Sequence, residues 1–432
     1  MKSKSLFGTM MDIPGDKSIT HRAIIMASLA EGESNIIGPL LSEDCQQTRL
    51  AFEQMGVSIN QYPDATTSLR IQGRGIASLV EPSDVIDCGN SGTTMRLLTG
   101  LLSGQHFFSV LKGDTSLHKR PMRRVVDPLR EMGAEIDGRS GGAFAPLAIK
   151  GKQLSGIKYT LPVASAQVKS ALLLAGLSAK GETVITDPFG TRDHTEQMFR
   201  SFGVAFKQEG NCSTTLGGQS FYGKTIRVPS DFSSAAFFIV AALILPGSRI
   251  VIRNVGINST RTGLLDILKK QMNANITVTE KEQGDFCEPV ADITVESSQL
   301  IGCVVEEDQI PRMIDEFPIL CVAAAAADGE TTIRGAKELR VKESDRIITM
   351  SNALRNIAGV LIEEFPDGIK IRGIEEWKRL GEGLCVTNAD HRVAMAMRIA
   401  SLRTVGGIQL DNKDCINTSF PSFDRILGEL CR

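Results

Sequence analysis

A repeated pattern of helices, glycine turns and short strands limits what this 432-residue chain can fold into. Each of six copies has a small-residue helix, a turn glycine, a β-rich run, a second helix and a further short strand. The turn glycines are Gly32, Gly104, Gly181, Gly247, Gly329 and Gly406. They recur about every 75 residues, which is longer than the roughly 20–50 residues of an ordinary solenoid repeat. The pattern predicts a β-α-β-α-β-β unit that is used six times.

The first helix of each copy is apolar around much of its circumference, as in the five consecutive alanines at 323–327. A helix that is apolar on all sides has to be buried. The predicted helix pairs span residues 20–30 and 45–55, 93–102 and 122–132, 165–177 and 193–202, 233–245 and 262–272, 317–327 and 344–358, and 391–402 and 422–430. We therefore predict an α/β protein of two similar domains, each with three repeats around three buried central helices, and a boundary near residues 228–231. An ordinary α/β chain with accidental internal similarity is the alternative.

Composition and charge exclude several classes of protein. The 48 Lys and Arg residues nearly balance 50 Asp and Glu residues, which does not favour a broad basic face for nucleic acid. Nine scattered cysteines without a C-x-x-C motif argue against a disulfide scaffold or a zinc site and favour reduced thiols in a cytoplasm. The most apolar stretch, residues 235–245, is shorter than the roughly 20 residues of a membrane span. We expect a cytoplasmic protein with neither nucleic acid nor membrane as a partner.

Two of the predicted central helices begin with motifs that suit anions. Residues 15–22 place Lys17, Ser18 and Arg22 in the first turns of a helix, and Ser18 or Thr20 can cap it. Residues 87–96 add two glycines and three hydroxyl side chains before the next central helix. Free backbone N–H groups at a helix N-terminus favour carboxylate or phosphate. The alternatives are a capped helix with solvated charges and a plain glycine-rich turn, but two equivalent motifs in equivalent repeats favour anion binding.

Further charged motifs lie later in the chain. Residues 114–124 concentrate basic side chains around Arg120, for which a solvated basic turn is the alternative. Asp315 precedes a buried helix, where partial desolvation would raise a carboxylate pKa towards that of a useful base; a capping Asp is the alternative. Lys342 and Arg346 are spaced i, i+4 and would share a helix face, with Glu343 beside them. The alternative there is a salt-bridged helix start.

The histidines indicate no metal. His21, His194 and His391 lack the spacing of metal ligands, so we expect structural or hydrogen-bonding roles for them and no metal site.

Taken together, the motifs at 15–22, 89–96, 119–122, 165–167, 315–318, 340–346 and 390–392 resemble those of the 5-enolpyruvylshikimate-3-phosphate synthases, also called 3-phosphoshikimate 1-carboxyvinyltransferases. The resemblance covers nearly the whole chain. It implies the enolpyruvyl transferase fold, with domains at residues 15–229 and at 1–14 plus 230–432, and an active site in the cleft between them. It also implies transfer of the enolpyruvyl group of phosphoenolpyruvate to the 5-hydroxyl of shikimate 3-phosphate, in the shikimate pathway. The expected enzyme is a monomer that binds these small anions and needs no metal or organic cofactor.

The resemblance also implies roles for individual residues. Those expected to bind shikimate 3-phosphate are Lys17, Ser18, Arg22, Ser165, Gln167, Arg192, Asp315 and Lys342. Those expected to bind phosphoenolpyruvate are Lys17, Asn90, Gly92, Arg120, Gln167, Glu343, Arg346 and Arg392. Asp315 would take the 5-hydroxyl proton and Glu343 would protonate the methylene carbon, with Lys17 as a third catalytic residue. Glyphosate is expected to compete with phosphoenolpyruvate.

The sequence departs from many family members at Ala166, where they have Ser, and at Thr418, where they have Lys. Two rival functions remain. The related enzymes that act on UDP-N-acetylglucosamine carry a Cys where this chain has Thr115, and they lack its Lys-Glu-Ser-Asp-Arg motif. A non-catalytic nucleic-acid or anion-binding module would need a basic face and stacking aromatic residues, and this chain has one Trp and three Tyr.

Overall fold

The computed structural model describes residues 5–10, 13–62, 68–282, 288–374, 384–404 and 407–431. The chain forms two compact units. The N unit comprises Gly15–Val228 with Gln283–Glu288, and the C unit comprises Met1–Pro14, Pro229–Glu282 and Pro289–Arg432. Among the described residues, no helix has the length and apolar character needed to cross a membrane.

The described part of the chain contains twelve helices of eight or more residues, two in each predicted repeat. They are α1 (Lys17–Leu29), α2 (Glu43–Gln54), α3 (Gly92–Ser103), α4 (Arg123–Glu131), α5 (Ala166–Gly176), α6 (His194–Phe202), α7 (Phe232–Ile244), α8 (Gly263–Lys270), α9 (Phe317–Ala326), α10 (Arg346–Ala358), α11 (His391–Ala400) and α12 (Phe423–Leu430). One-turn helices also occur at Arg139–Gly142 and Ile310–Met313. The predicted helix pairs are confirmed, with small shifts at their ends.

The N unit has three four-stranded sheets that share one order. The first sheet runs Thr225–Arg227, Glu31–Ile37, Ser68–Arg74 and Ser58–Gln61; the second runs Ile86–Asp87, Phe108–Lys112, Phe144–Lys150 and Glu135–Gly138; the third runs Lys158–Thr160, Glu182–Thr186, Cys212–Leu216 and Phe206–Glu209. In each sheet the first strand pairs parallel with the second, and the remaining pairs are antiparallel. This repeated order confirms the α/β repeat unit.

The C unit repeats this arrangement. Its first sheet runs Phe7–Met10, Arg249–Gly256, Val290–Glu296 and Asn275–Glu280, and its second runs Val304–Val305, Glu330–Ile333, Gly368–Arg372 and Leu361–Phe365. The described residues of the sixth repeat contribute a parallel pair, Leu384–Cys385 with Gln409–Leu410. The predicted turn glycine of that repeat, Gly406, lies outside the described residues.

Each unit has its own apolar core around the first helices of its repeats, which are α1, α3 and α5 in the N unit and α7, α9 and α11 in the C unit. Every residue of α7 is buried, as its uninterrupted apolar sequence requires. Helices α3 and α5 approach so closely that a Cβ at Gly100 would lie 2.1 Å from the carbonyl oxygen of Ala171. The predicted buried central helices are therefore confirmed.

Two of the predicted anion-binding motifs lie at the polar N-terminal ends of central helices α1 and α3. Asp16 caps α1 by accepting from the Ile19 N–H at 2.9 Å, and Ser91 caps α3 by accepting from the Thr94 N–H at 3.1 Å. The expectation that Ser18 or Thr20 caps α1 was wrong, because the helix already begins at Lys17 and Asp16 therefore occupies the N-cap position. The Thr20 hydroxyl instead donates to the Asp16 carbonyl.

Candidate active site

Arg22 is fixed in the N unit by hydrogen bonds from three directions. Its Nε donates to Thr195 Oγ1 and its Nη2 to Ser170 Oγ, both at 2.7 Å, while its Nη1 donates to the Ser18 carbonyl at 2.9 Å. Burial lowers the pKa of Arg22 to about 10, and neighbouring Arg192 acts in the same direction against the opposing charge of Glu196. The guanidinium therefore stays charged at neutral pH and is held in one orientation.

Lys17 is the first residue of α1, five residues before Arg22. Its ammonium donates to Asp44 Oδ2 at 3.1 Å, and its side chain is 16% exposed, so it still reaches solvent. Asp44 was not identified from the sequence. Its partner lies 27 residues away, on another helix, and no local pattern connects the two.

A second group of predicted residues meets at the N-terminus of α3. Arg120 Nη2 donates to Asn90 Oδ1 at 3.2 Å, and Asn90 Nδ2 donates to Asp114 Oδ2 at 2.7 Å. A Cβ at Gly92 would lie 3.0 Å from Arg120 Nη1, so the guanidinium occupies the space beside the Gly92 Cα. The structure thus brings Asn90, Gly92 and Arg120 together.

Gln167 joins this group through a residue that the sequence analysis did not assign. Arg96 Nη1 donates to Gln167 Oε1 at 2.7 Å, and Gln167 Nε2 donates to Thr93 Oγ1 at 2.9 Å. Arg96 is the last residue of the glycine-rich motif, and that position was the signal that could have identified it. Ser165 caps α5 by accepting from the Val168 N–H at 3.4 Å, which places it at the same helix end as Gln167.

The C unit holds the predicted acid–base residues around a buried arginine. Arg346 is 1% exposed; its Nε donates to Asp390 Oδ2 at 2.8 Å and its Nη2 to Glu343 Oε2 at 2.7 Å. Although burial lowers the pKa of Arg346, the adjacent carboxylates raise it above its ordinary value. Arg346 is thus a permanent cation that orders Glu343.

Asp315 lies between two arginines. Its Oδ1 is 3.3 Å from Arg346 Nη1 and its Oδ2 is 3.6 Å from Arg392 Nη2, while Arg392 Nη1 donates to its carbonyl oxygen at 3.3 Å. The Asp315 side chain is 17% exposed, so it is mostly buried yet open to a ligand. Asp390 supports this arrangement, because it accepts from both Arg346 and the Arg392 backbone N–H.

Lys342 does not share a helix face with Arg346, so that prediction was wrong. Asp345 caps α10 by accepting from the Ile348 N–H, which starts the helix at Arg346 and leaves Lys342 at the end of the 3-10 turn Lys337–Val341. Burial lowers the pKa of Lys342, against the opposing charges of Asp315 and Glu343. Lys342 therefore interacts electrostatically with Asp315 and Glu343, although it lies outside the helix.

The predicted site residues form two sets, one in each unit. The N unit carries Lys17, Ser18, Arg22, Asn90, Gly92, Arg120, Ser165, Gln167 and Arg192, and the C unit carries Asp315, Lys342, Glu343, Arg346 and Arg392. In the C unit, the two arginines and Lys342 are matched by the carboxylates of Asp315, Glu343 and Asp390. In the N unit, Arg96 joins the predicted cations. The N unit therefore holds fixed cations, and the C unit holds carboxylates that are paired with cations.

Comparisons with known proteins agree with this chemistry. The sequence profile of EPSP synthase (3-phosphoshikimate 1-carboxyvinyltransferase) matches residues 1–427. The chain belongs to the EPSP synthase family. The 3-phosphoshikimate 1-carboxyvinyltransferase of Pelobacter propionicus is 51% identical over 98% of this chain and 96% of its own length. The protein of that name from Geobacter metallireducens is 52% identical over 97% and 95%, respectively.

Solved structures of relatives confirm the fold. The EPSP synthase of Acinetobacter baumannii has a TM-score of 0.86 at 46% identity. The match covers 99% of this chain and 96% of the Acinetobacter chain. The enolpyruvyl transferase NikO of Streptomyces tendae has a TM-score of 0.76 at 16% identity, over 99% of this chain and 96% of its own. The second likeness concerns the fold alone, and both match the enolpyruvyl transferase-like fold that the family resemblance implies.

Proposed function

We propose that this chain transfers the enolpyruvyl group of phosphoenolpyruvate to the 5-hydroxyl of shikimate 3-phosphate and releases phosphate. Membership of the EPSP synthase family supports this function. The structural observation that carries it is the position of Asp315, a largely buried carboxylate between Arg346 and Arg392. That arrangement suits a base that works beside an anionic substrate.

Shikimate 3-phosphate is assigned mainly to the N unit. Arg22 and Arg192 are close enough for each to influence the other electrostatically, and two guanidiniums so placed favour a ligand with anionic groups. Lys17 and Ser18 add an ammonium and a hydroxyl at the same helix end, and Ser165 and Gln167 add polar groups from α5. Asp315 and Lys342 of the C unit complete the proposed set.

Phosphoenolpyruvate is assigned to Arg120, Asn90, Gly92 and Gln167, together with Lys17. Arg120 is held by Asn90, so little conformational freedom remains to be lost when an anion binds. From the C unit, the proposal adds Arg346, Arg392 and Glu343. Both sets of residues are needed for the proposed reaction, since the proposed base and acid lie in the C unit and Lys17, Arg22 and Arg120 lie in the N unit.

In the proposed reaction, Asp315 takes the proton of the 5-hydroxyl while the hydroxyl oxygen bonds to C2 of phosphoenolpyruvate. Glu343 gives a proton to C3, which completes the addition and yields a tetrahedral intermediate. Phosphate then leaves C2 with the proton that Asp315 had taken, and Glu343 takes back one C3 proton, which forms the enol ether product and restores both carboxyl groups. The arginines stabilise the negative charge that the reacting groups carry.

The experiment measures phosphate release from phosphoenolpyruvate with either shikimate 3-phosphate or UDP-N-acetylglucosamine as acceptor. We expect release with the first acceptor and none above background with the second. Release with UDP-N-acetylglucosamine alone would overturn the proposal. Binding to nucleic acid that weakens steeply with salt, without phosphate release, would support the rival binding module.

The proposal also includes a monomer that works in the cytoplasm, and light scattering tests the oligomeric state.

A further inference from the structure

Lys169 is a buried cation that the proposed reaction does not use. It lies on α5, two residues after Gln167, and its side chain is 4% exposed. The ammonium contacts Asp187 Oδ2 at 3.0 Å and Glu196 Oε1 at 2.9 Å, and it donates to the Thr191 carbonyl at 3.1 Å. These partners account for all three of its N–H donors.

This cluster is not explained by stability alone. Burying charged groups is costly, and well-packed apolar residues are often at least as stabilising as a buried ion pair. Burial lowers the pKa of Lys169, but Glu196 and Asp187 outweigh that effect and raise it overall. Lys169 is therefore a permanent cation whose contacts define one arrangement of three chain segments.

Asp187 shapes the loop that carries Arg192. Its carboxylate accepts from the Phe189 N–H at 3.0 Å, the Thr191 N–H at 2.9 Å and the Thr191 hydroxyl at 2.6 Å, besides Lys169. Thr191 is thus held by its N–H, its hydroxyl and its carbonyl, immediately before Arg192. A backbone fixed at residue 191 limits the positions that the Arg192 side chain can reach.

The same cluster borders the residues that hold Arg22. Glu196 follows Thr195, which accepts from Arg22 Nε and donates to Ser170 Oγ at 2.7 Å. Glu196 is also the foremost opposing charge that maintains the pKa of Arg22 against burial. Lys169 therefore links the loop of Arg192 to the helix that positions Arg22.

We propose that Lys169 and Asp187 are positioning residues that fix Arg192 beside Arg22 for binding of the anionic sugar acid. This inference rests on the proposed function, in which Arg192 contacts shikimate 3-phosphate. Both residues act through Arg192 and not by contact with the substrate. Their loss impairs the use of shikimate 3-phosphate and leaves the phosphoenolpyruvate site unaffected.

The test compares Asp187→Asn, Arg192→Gln and the double variant in steady-state kinetics with each substrate varied. We expect Asp187→Asn to raise the KM for shikimate 3-phosphate roughly 10-fold, since displacing one charge-assisted contact costs about that factor. The KM for phosphoenolpyruvate should change less than about 2-fold. Because Asp187 acts through Arg192, the double variant should be no worse than Arg192→Gln alone.

The matched control is Asp292→Asn. Asp292 likewise accepts from a lysine, Lys281 at 2.8 Å, and from a backbone N–H, that of Asn254 at 3.0 Å, but it lies in the C unit outside the proposed site. Asp292→Asn should leave the KM values for both substrates unchanged. If Asp187→Asn does not fold, Thr191→Val removes the hydroxyl contact alone and should raise the same KM by a smaller factor.

Additive effects of Asp187→Asn and Arg192→Gln would overturn the inference, as would equal changes in both KM values. These outcomes can be told apart from a failure of the proposed function. In that case the unaltered chain itself would release no phosphate from phosphoenolpyruvate with shikimate 3-phosphate as acceptor. An unchanged KM for shikimate 3-phosphate in Arg192→Gln would overturn the inference and the assignment of Arg192 together.

Discussion

Gly92→Ala tests the second helix N-terminus through one added methyl group. The new Cβ would lie 2.7 Å from Arg96 Nη1 and 3.0 Å from Arg120 Nη1, whereas ordinary contacts begin near 3.4 Å. Both guanidiniums therefore have to move by several tenths of an ångström. Gly92 opens helix α3, where Ala is a more favourable residue than Gly, so the folding cost is small. The change acts on the anion site and leaves the fold intact.

The size of the effect follows from the contacts that move. Arg120 is held by Asn90, and Arg96 is held by Gln167. A hydrogen bond to a charged group contributes about 1.5–3 kcal/mol, so partial loss of one predicts roughly a 10-fold rise in the KM for phosphoenolpyruvate. Glyphosate, which the family resemblance describes as slightly longer than phosphoenolpyruvate, should lose more affinity than the substrate does.

Steady-state kinetics of Gly92→Ala and the unaltered chain, with and without glyphosate, measure both effects. Gly428→Ala is the matched control, because Gly428 also lies in a helix and a Cβ there meets nothing within 4 Å. Equal losses of inhibitor and substrate affinity in Gly92→Ala would refute the reasoning. An inhibition constant that the methyl group leaves unaltered would refute it as well.

Three further predictions concern stability, each followed by urea unfolding. Burial lowers the pKa of His21 to about 3, so the contribution of neutral His21 to stability is complete above pH 6.5 and is lost as the pH falls towards 3. His21→Asn should therefore reduce the loss in the free energy of unfolding between pH 7 and pH 5 by about 2 kcal/mol. Parallel pH profiles of the variant and the unaltered chain would contradict this. Arg261→Met leaves buried Glu316 without its cation, 2.9 Å away, and should cost about 3–5 kcal/mol; a loss below about 1 kcal/mol would contradict this. Gly100→Ala pushes a methyl group into the Ala171 carbonyl and should cost about 1–3 kcal/mol, and unchanged stability would show that α3 and α5 separate freely.

The repeat architecture was predictable because it depends on local sequence patterns, the apolar helices and the turn glycines. Each central helix is apolar around much of its circumference, and each is followed by a second helix at a similar interval. The repeat can therefore be recognised without any knowledge of tertiary contacts. The short edge strands were not predictable in the same way. Thr225–Arg227 pairs with Glu31–Ile37 from the far end of the N unit, and Phe7–Met10 pairs with Arg249–Gly256. Such pairings depend on the assembled fold and not on local propensity.

In the candidate site as well, features with a local sequence pattern were predictable, and features that depend on the assembled fold were not. Residues in contiguous motifs, such as Asn90 and Gly92, were identified from the sequence because helix N-termini have local signatures. Arg96 lies in the same motif but was assigned no role, since its partner Gln167 lies 71 residues away. Lys342 was placed on a helix by its spacing alone, but the capping Asp345 begins the helix four residues later than Lys342. Buried Lys169 carries no sequence signal, because its three partners come together only in the folded unit.

The central claim is that Asp315 is the base for enolpyruvyl transfer, and turnover of Asp315→Asn tests it most directly. Arg346 keeps its contacts with Asp390 and Glu343 in this variant, so the surrounding site should persist. Phosphate release from phosphoenolpyruvate and shikimate 3-phosphate should fall by about 10²–10⁴-fold, while calorimetry shows shikimate 3-phosphate still bound. Turnover within about 3-fold of the unaltered chain would contradict the assignment, since an amide cannot take the hydroxyl proton.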